Sequence, residues 1–168
     1  MPNFDKKEHE RALINDFVDW FAGETGKRYS VLDYPDPPDA RIKTADGNII
    51  WVEATIIYRD QKEAIFLNTA SGTYGTIEQP DDMLAEAAVS AIRGKLAKGS
   101  YRQCFETHGP GYLLLAEADP LFDEGTLVKI EEKVRCATFP DDRGFFKAIY
   151  AFCTHGGKKY FRKLPYST

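Results

Sequence analysis

Asp39, in Pro38-Asp39-Ala40-Arg41-Ile42, and Glu53, in Trp51-Val52-Glu53-Ala54-Thr55, flank a short turn signal at Asp46-Gly47. If the flanking segments are neighbouring strands, the two carboxylates meet across the pair, and hard oxygen donors of this kind hold Mg²⁺ or Mn²⁺. Whether they meet depends on the turn. A two-residue loop at Asp46-Gly47 sets Ala40 against Glu53 and sends Asp39 to the opposite face. A three-residue loop, Ala45-Asp46-Gly47 with Gly47 in the left-handed conformation, pairs Thr44 with Asn48 and puts Asp39 opposite Glu53. That register also sorts the side chains, with Asp39, Arg41, Lys43, Trp51, Glu53 and Thr55 on one face and Ala40, Ile42, Ile50, Val52 and Ala54 on the other. The second face is wholly apolar, so the pattern predicts the three-residue loop: one face enters the core, the other keeps its carboxylates wet or metal-bound. Removing either acid from such a pair relieves like-charge repulsion, so metal-free stability is expected to stay level or rise.

The elements that must hold this hairpin follow from periodicity. Leu13, Ile14, Phe17, Val18, Trp20 and Phe21 recur at three and four and predict an amphipathic helix from Asp5 to Ala22, stopped by Gly23. Tyr29 to Leu32 predicts a first strand, ended by Tyr34-Pro35-Asp36-Pro37-Pro38, and Ala40 to Thr44 with Ile49 to Tyr58 form the hairpin. Residues 60–80, with Gly72, Gly75 and Pro80, read as a long loop holding a short strand at Ala64 to Leu67. A second helix runs from Asp81 or Asp82, either of which can cap it, to Lys98, with Gly99 as its stop. Tyr112 to Ala116 is a continuous apolar run suited to a strand buried on both faces. A third helix near Leu127 to Val134, a strand at Ala148 to Cys153 and a last short strand at Lys159 to Arg162 complete the chain. The order α-β-β-β-α-β-α-β, before that last strand, predicts a single α/β domain over residues 1–168, a central mixed sheet flanked by helices.

At 168 residues, 43% of them hydrophobic, the chain can bury one core. Cys104, Cys136 and Cys153 are odd in number and lack C-x-x-C spacing, so they read as reduced thiols buried in a core. With no apolar leader and no membrane-length apolar run, the expected location is the cytoplasm, without membrane contact. His9, His108 and His155 are scattered and read as surface residues, and Ser71, Ser90 and Ser100 lack the context of a nucleophile elbow. Phosphate-cradling glycine loops are missing too. Tyr58, Phe66 and Tyr74 around the long loop would allow base stacking, and Glu117 and Asp119 could approach a site at the sheet edge.

The net charge of −4 weighs against a protein that coats nucleic acid. Its distribution is uneven: residues 1–84 carry 9 Lys and Arg against 16 Asp and Glu, and residues 85–168 carry 13 against 10. Arg93, Lys95, Lys98 and Arg102 follow one another along a predicted helix, and Lys158, Lys159, Arg162 and Lys163 gather near the end. An acidic centre flanked by basic surface suits a metal-dependent enzyme acting on a phosphate backbone, with Arg93, Lys98, Arg102, Lys158 and Lys159 as its nucleic-acid contacts. An ordinary solvated surface accounts for the same charges.

An initial helix, a three-strand meander with Asp on the second strand and Glu on the third, then a helix and a core strand resembles the PD-(D/E)XK nuclease superfamily, the restriction-endonuclease-like fold. Pro38-Asp39 matches its PD, and Glu53-Ala54-Thr55 sits where its (D/E)XK belongs, within a resemblance covering about residues 5–118. The resemblance implies a restriction-endonuclease-like core and a metal-dependent nuclease hydrolysing phosphodiester bonds, with DNA as partner; many relatives cut as homodimers. It implies that Asp39, Glu53 and the backbone carbonyl of Ala54 bind Mg²⁺ or Mn²⁺, which lowers the pKa of a bound water and neutralises charge on the scissile phosphate. The motif lysine orients that water and stabilises the transition state.

Thr55 stands in place of that lysine, and a hydroxyl can position a water but carries no charge. Lys95 is the candidate substitute, because Leu84, Ala88, Ala91 and Lys95 share a stripe beside Ile92 and Leu96 and so emerge on the sheet-facing side of the helix. A snorkelled ammonium at the helix edge is the alternative for Lys95, and Lys98, one turn on, is the reserve. Glu10, on the stripe Glu10, Ile14, Phe17, Phe21, sits where a first-helix glutamate completes the acidic cluster in this superfamily; a first-turn carboxylate at the helix dipole accounts for it as well. Without a substitute cation, the scaffold becomes a catalytically degenerate module that binds nucleic acid or protein.

Overall fold

The computed structural model describes residues 6–57, 80–117 and 124–167. The predicted loop with its strand at Ala64 to Leu67, together with Tyr58, Phe66, Ser71, Tyr74 and Asp119, lies outside the described residues, as do the side chains of Asp81 and Asp82. The described elements are α1 (Lys6–Thr25), β1 (Tyr29–Asp33), β2 (Ala40–Thr44), β3 (Ile49–Ile57) and α2 (Pro80–Ala97). A 3₁₀ turn (Gly99–Tyr101), α3 (Arg102–His108), β4 (Gly111–Glu117), α4 (Glu124–Cys136), β5 (Phe146–His155) and β6 (Lys158–Lys163) follow.

The six strands form one mixed sheet in chain order. β3, β4 and β5 run parallel, and the remaining neighbours pair antiparallel. Two successive right-handed crossovers stepping the same way across a sheet must lay their helices on one face. Accordingly Ala85, Ala88, Val89, Ile92 and Leu96 of α2 and Leu127, Ile130 and Val134 of α4 share one buried cluster with Trp51, Leu113, Leu115 and Ile149. α1 covers the opposite face, packing Leu13, Ile14, Phe17 and Val18 on Ala40, Ile42, Val52, Ala54 and Leu114. β4 lies between two parallel partners and is buried at every residue, as its continuous apolar run requires.

The hairpin closes through three residues. Gly47 has φ +89°, its N–H donates to the Thr44 carbonyl at 3.0 Å, and the Thr44 N–H donates to Asn48 at 2.9 Å. Ile42 therefore pairs with Ile50 and Ala40 with Val52, and the next step of the same register sets Asp39 opposite Glu53.

The structure corrects several expected boundaries. α1 continues through Gly23 to Thr25, and the stop is Gly26, whose φ of +68° and N–H bond to Ala22 at 2.9 Å form the left-handed cap. α2 ends at Ala97, one residue short of the expected Lys98, but helical structure resumes at Gly99. Gly99 opens the 3₁₀ turn into α3, so Arg102 belongs to a separate helix from Arg93 and Lys95. Tyr101, Cys104 and Phe105, at i, i+3 and i+4, were the apolar signal for that helix. The cysteines are free, but only Cys153 is buried; Cys136 is exposed because it ends α4 on the side opposite Leu127, Ile130 and Val134. No helix among the described residues is long and apolar enough to cross a membrane.

Candidate active site

β2 starts at Ala40, so beyond Val52 the backbone of β3 runs past its antiparallel ladder and needs other partners. The two acids supply them reciprocally. Asp39 Oδ2 accepts the Ala54 N–H at 2.7 Å, and Glu53 Oε2 accepts the Asp39 N–H at 3.1 Å. In an extended strand a residue's N–H and C=O point to the same side, so the Ala54 carbonyl is also turned toward Asp39.

Of the two states that the hairpin pattern allows for the carboxylates on this face, wet or metal-bound, Glu53 does not have the first. Trp51 and Glu53 are both buried, because α2, the 3₁₀ turn and α3 close over β3 on this side. Lys95, in the last turn of α2, brings Nζ within 2.5 Å of Glu53 Oε1. The Tyr101 hydroxyl donates to the same oxygen at 2.8 Å. Three donors from three parts of the chain thus hold one carboxylate.

The electrostatics follow from this crowding. Burial, then the Glu53 charge, push the Asp39 carboxyl from its ordinary 3.8 up to about 7; Glu10 adds to the rise, while the Ala54 N–H and Lys95 oppose it. Glu10 is buried near the start of α1, and burial raises its carboxyl against the pull of Lys6, 3.6 Å away, and of Lys95, with Glu53 raising it further. Burial and the Glu53 charge raise the Tyr101 phenol far above its usual range, so it remains a donor at any working pH.

A stability prediction follows for the metal-free protein. Between pH about 3.8 and about 7 the folded state keeps a proton on Asp39 that the unfolded chain has released. The folded state then binds more protons than the unfolded one, so stability falls as pH rises through that window. Asp39→Asn is expected to remove the slope: its Tm relative to wild type should climb from pH 4 to pH 7 and level off above. A Tm difference that does not vary with pH would place the shifted proton elsewhere.

Two carboxylates and a strand carbonyl are hard oxygen donors that suit Mg²⁺ or Mn²⁺, ions that retain several waters. The raised Asp39 marks a place short of positive charge, and a divalent cation would hold that carboxyl ionised. Asp39, Glu53 and the Ala54 carbonyl fit such an ion. Glu10 contributes to the field, yet the described residues contain no group of three His, Cys, Asp or Glu side chains gathered as a ligand set.

Thr55 stands one pleat beyond Glu53 on the same face, and its hydroxyl is buried without a hydrogen-bond partner among the described residues. The basic residues expected at nucleic acid lie on separate elements of the fold. Arg93 donates to the Thr138 carbonyl at 3.2 Å and lies over the Phe139 ring, and Arg102 lies over Phe145. Lys98 is exposed in the extended link after α2. Lys158 and Lys159 are exposed on the sheet's last strand, three places from β3, because β6 pairs only beyond β5. Glu117 is buried at the end of β4.

Tyr101 is the site residue that sequence reasoning missed. Its ring stacks on Trp51 at 5.7 Å and meets Phe146 edge-on at 5.2 Å, while the indole N–H of Trp51 donates to the Gly109 carbonyl at 2.8 Å. Gly111 leaves room for that indole: a Cβ there would stand 2.4 Å from the ring. In comparison with known proteins, no family model matches the chain, and no curated protein or solved structure gives a significant match.

Proposed function

We propose that this chain is a divalent-metal-dependent nuclease with a restriction-endonuclease-like core, hydrolysing phosphodiester bonds in DNA. The observation that carries the reading is the convergence of Asp39, Glu53 and Lys95 from the start of β2, the middle of β3 and the end of α2. Asp39, Glu53 and the Ala54 carbonyl would hold Mg²⁺ or Mn²⁺; when bound, the ion supplies an acidified water and neutralises charge on the phosphate. Lys95 supplies the charge that Thr55 cannot. Its ammonium rests on Glu53 Oε1 in the free protein and, on a side chain with four rotatable carbons, turns to the scissile phosphate to stabilise the negative charge that builds there. The buried Thr55 hydroxyl is left to orient water. Cutting both strands of a duplex would take two copies of the chain, and three free thiols suit a reducing cytoplasm.

The test is incubation of the protein with single-stranded, duplex and branched DNA, and with RNA, in Mg²⁺, in Mn²⁺ and in chelator. Metal-dependent nicking that chelator abolishes is the expected result. A second reading, a degenerate module that binds DNA without cutting it, is favoured by the Lys95–Glu53 ion pair, which occupies both groups at once. Retention of DNA with no cleavage under any of these conditions would select that module.

A further inference from the structure

We propose that Tyr101 is a positioning residue of this site, fixing the Glu53 carboxylate so that Oε2 stays turned toward Asp39 for a divalent cation while Oε1 serves Lys95. The inference rests on the metal-dependent reading above and adds a residue to it. Glu53 divides its contacts unequally: Oε1 takes both Lys95 at 2.5 Å and Tyr101 at 2.8 Å, and Oε2 takes the Asp39 N–H at 3.1 Å.

Of the two donors on Oε1, only Tyr101 can define a direction. Lys95 is a point charge on a flexible stem, with 17% of its side chain exposed, so it can follow the carboxylate wherever it turns. Tyr101 has two torsions and is 1% exposed, with its ring held between Trp51 and Phe146. Trp51 is in turn fixed through its bond to Gly109. The orientation of Glu53 therefore traces back, through two stacked rings, to the turn between α3 and β4. When Lys95 leaves Glu53 for a phosphate, the Tyr101 hydroxyl is the side-chain donor that remains on Oε1. At 1% exposure, Tyr101 leaves little room for solvent to replace it.

Hydrogen-bond partners of metal ligands are commonly worth about 10–100-fold in metal affinity or activity. The test is Mn²⁺ binding to the metal-free full chain at pH 8, followed by electron paramagnetic resonance, for wild type, Tyr101→Phe and Asp39→Asn, with single-turnover DNA cleavage measured beside it. Tyr101→Phe is expected to keep its fold and its affinity for DNA, and to lose Mn²⁺ affinity by about 10–100-fold. Asp39→Asn should lose Mn²⁺ binding altogether. If wild type binds Mn²⁺ and folded Tyr101→Phe binds it equally well, the positioning role is overturned and the nuclease reading stands. If wild type binds no Mn²⁺, the metal-dependent reading itself fails, and this inference with it.

A second measurement needs no variant at Tyr101. In wild type labelled with 3-fluorotyrosine, Mn²⁺ should broaden the resonance of a buried tyrosine, and Asp39→Asn should abolish that broadening. A buried tyrosine spectrum untouched by bound Mn²⁺ would overturn the proposal.

Discussion

Lys95→Ala is expected to slow single-turnover cleavage by on the order of 10²-fold or more, comparable with the loss of one transition-state-stabilising donor. Metal affinity should hold or rise, because the Lys95 ammonium on Glu53 repels a cation bound beside it. The metal-free Tm should fall, since a buried carboxylate loses its charge partner. Lys98→Ala is the control for basic charge near the end of α2: Lys98 is exposed, so its removal should weaken DNA binding in a salt-dependent way with little change in the single-turnover rate. Restoring a cation from the neighbouring position is the complementary experiment. Thr55→Lys introduced into Lys95→Ala should recover part of the rate, because Thr55 shares the Glu53 face and Lys95 has vacated the space beside it. Equal and small effects of Lys95→Ala and Lys98→Ala would remove Lys95 from the mechanism.

The second large effect separates the two acids. Asp39→Ala and Glu53→Ala should both abolish divalent-ion binding and cleavage, yet their metal-free stabilities should diverge. Asp39 is half-buried and its proton affinity is raised by burial and by Glu53, so its removal relieves a stressed group, which offsets the lost bond to the Ala54 N–H, and the Tm at pH 8 should stay level or rise. Glu53 is different. Its loss strands the Lys95 ammonium and the buried Tyr101 hydroxyl, and breaking a buried pair from one side costs about 3 kcal/mol or more. In a chain of this size each 1 kcal/mol corresponds to about 2–4 °C, so Glu53→Ala should melt several degrees below wild type. The expectation from sequence, that either acid could be removed without loss, is therefore retained as a prediction for Asp39 alone. Calorimetric Mg²⁺ titration alongside thermal melts checks both parts, and equal melting temperatures for the two variants would contradict the bonding seen at Glu53.

What could be read from sequence was the part governed by alternation. The β2–β3 register followed from a three-residue turn with a glycine in the left-handed region and from the uniformly apolar face Ala40, Ile42, Val52, Ala54. Lys95 was legible because Ala88, Ile92 and Leu96 define the sheet-facing flank of α2. Tyr101 was not, because Gly99 reads as a terminator, whereas the chain takes only one 3₁₀ turn there before α3 begins. The burial of Glu53 was not legible for a related reason. Polar spacing on β2 and β3 says nothing of α2 and α3, which arrive from later in the chain to cover Trp51 and Glu53. Basic residues near one another in sequence, such as Lys98 and Arg102, were assigned to one helix but occupy separate elements with separate partners.

Sequence separation within this site also orders its assembly in time. Asp39 and Glu53 are 14 positions apart and joined by a tight hairpin, whereas Lys95 and Tyr101 lie 42 and 48 positions from Glu53. Short-range hairpin contacts close quickly, and long-range ones wait on larger loops. In refolding, the contacts of Lys95 and Tyr101 with Glu53 should accordingly form after the β2–β3 hairpin has closed. A chain emerging from the ribosome would then present its paired carboxylates while the ammonium and phenol that later hold Glu53 are still being made. A metal ion present during synthesis would meet its ligands before the helices close over them.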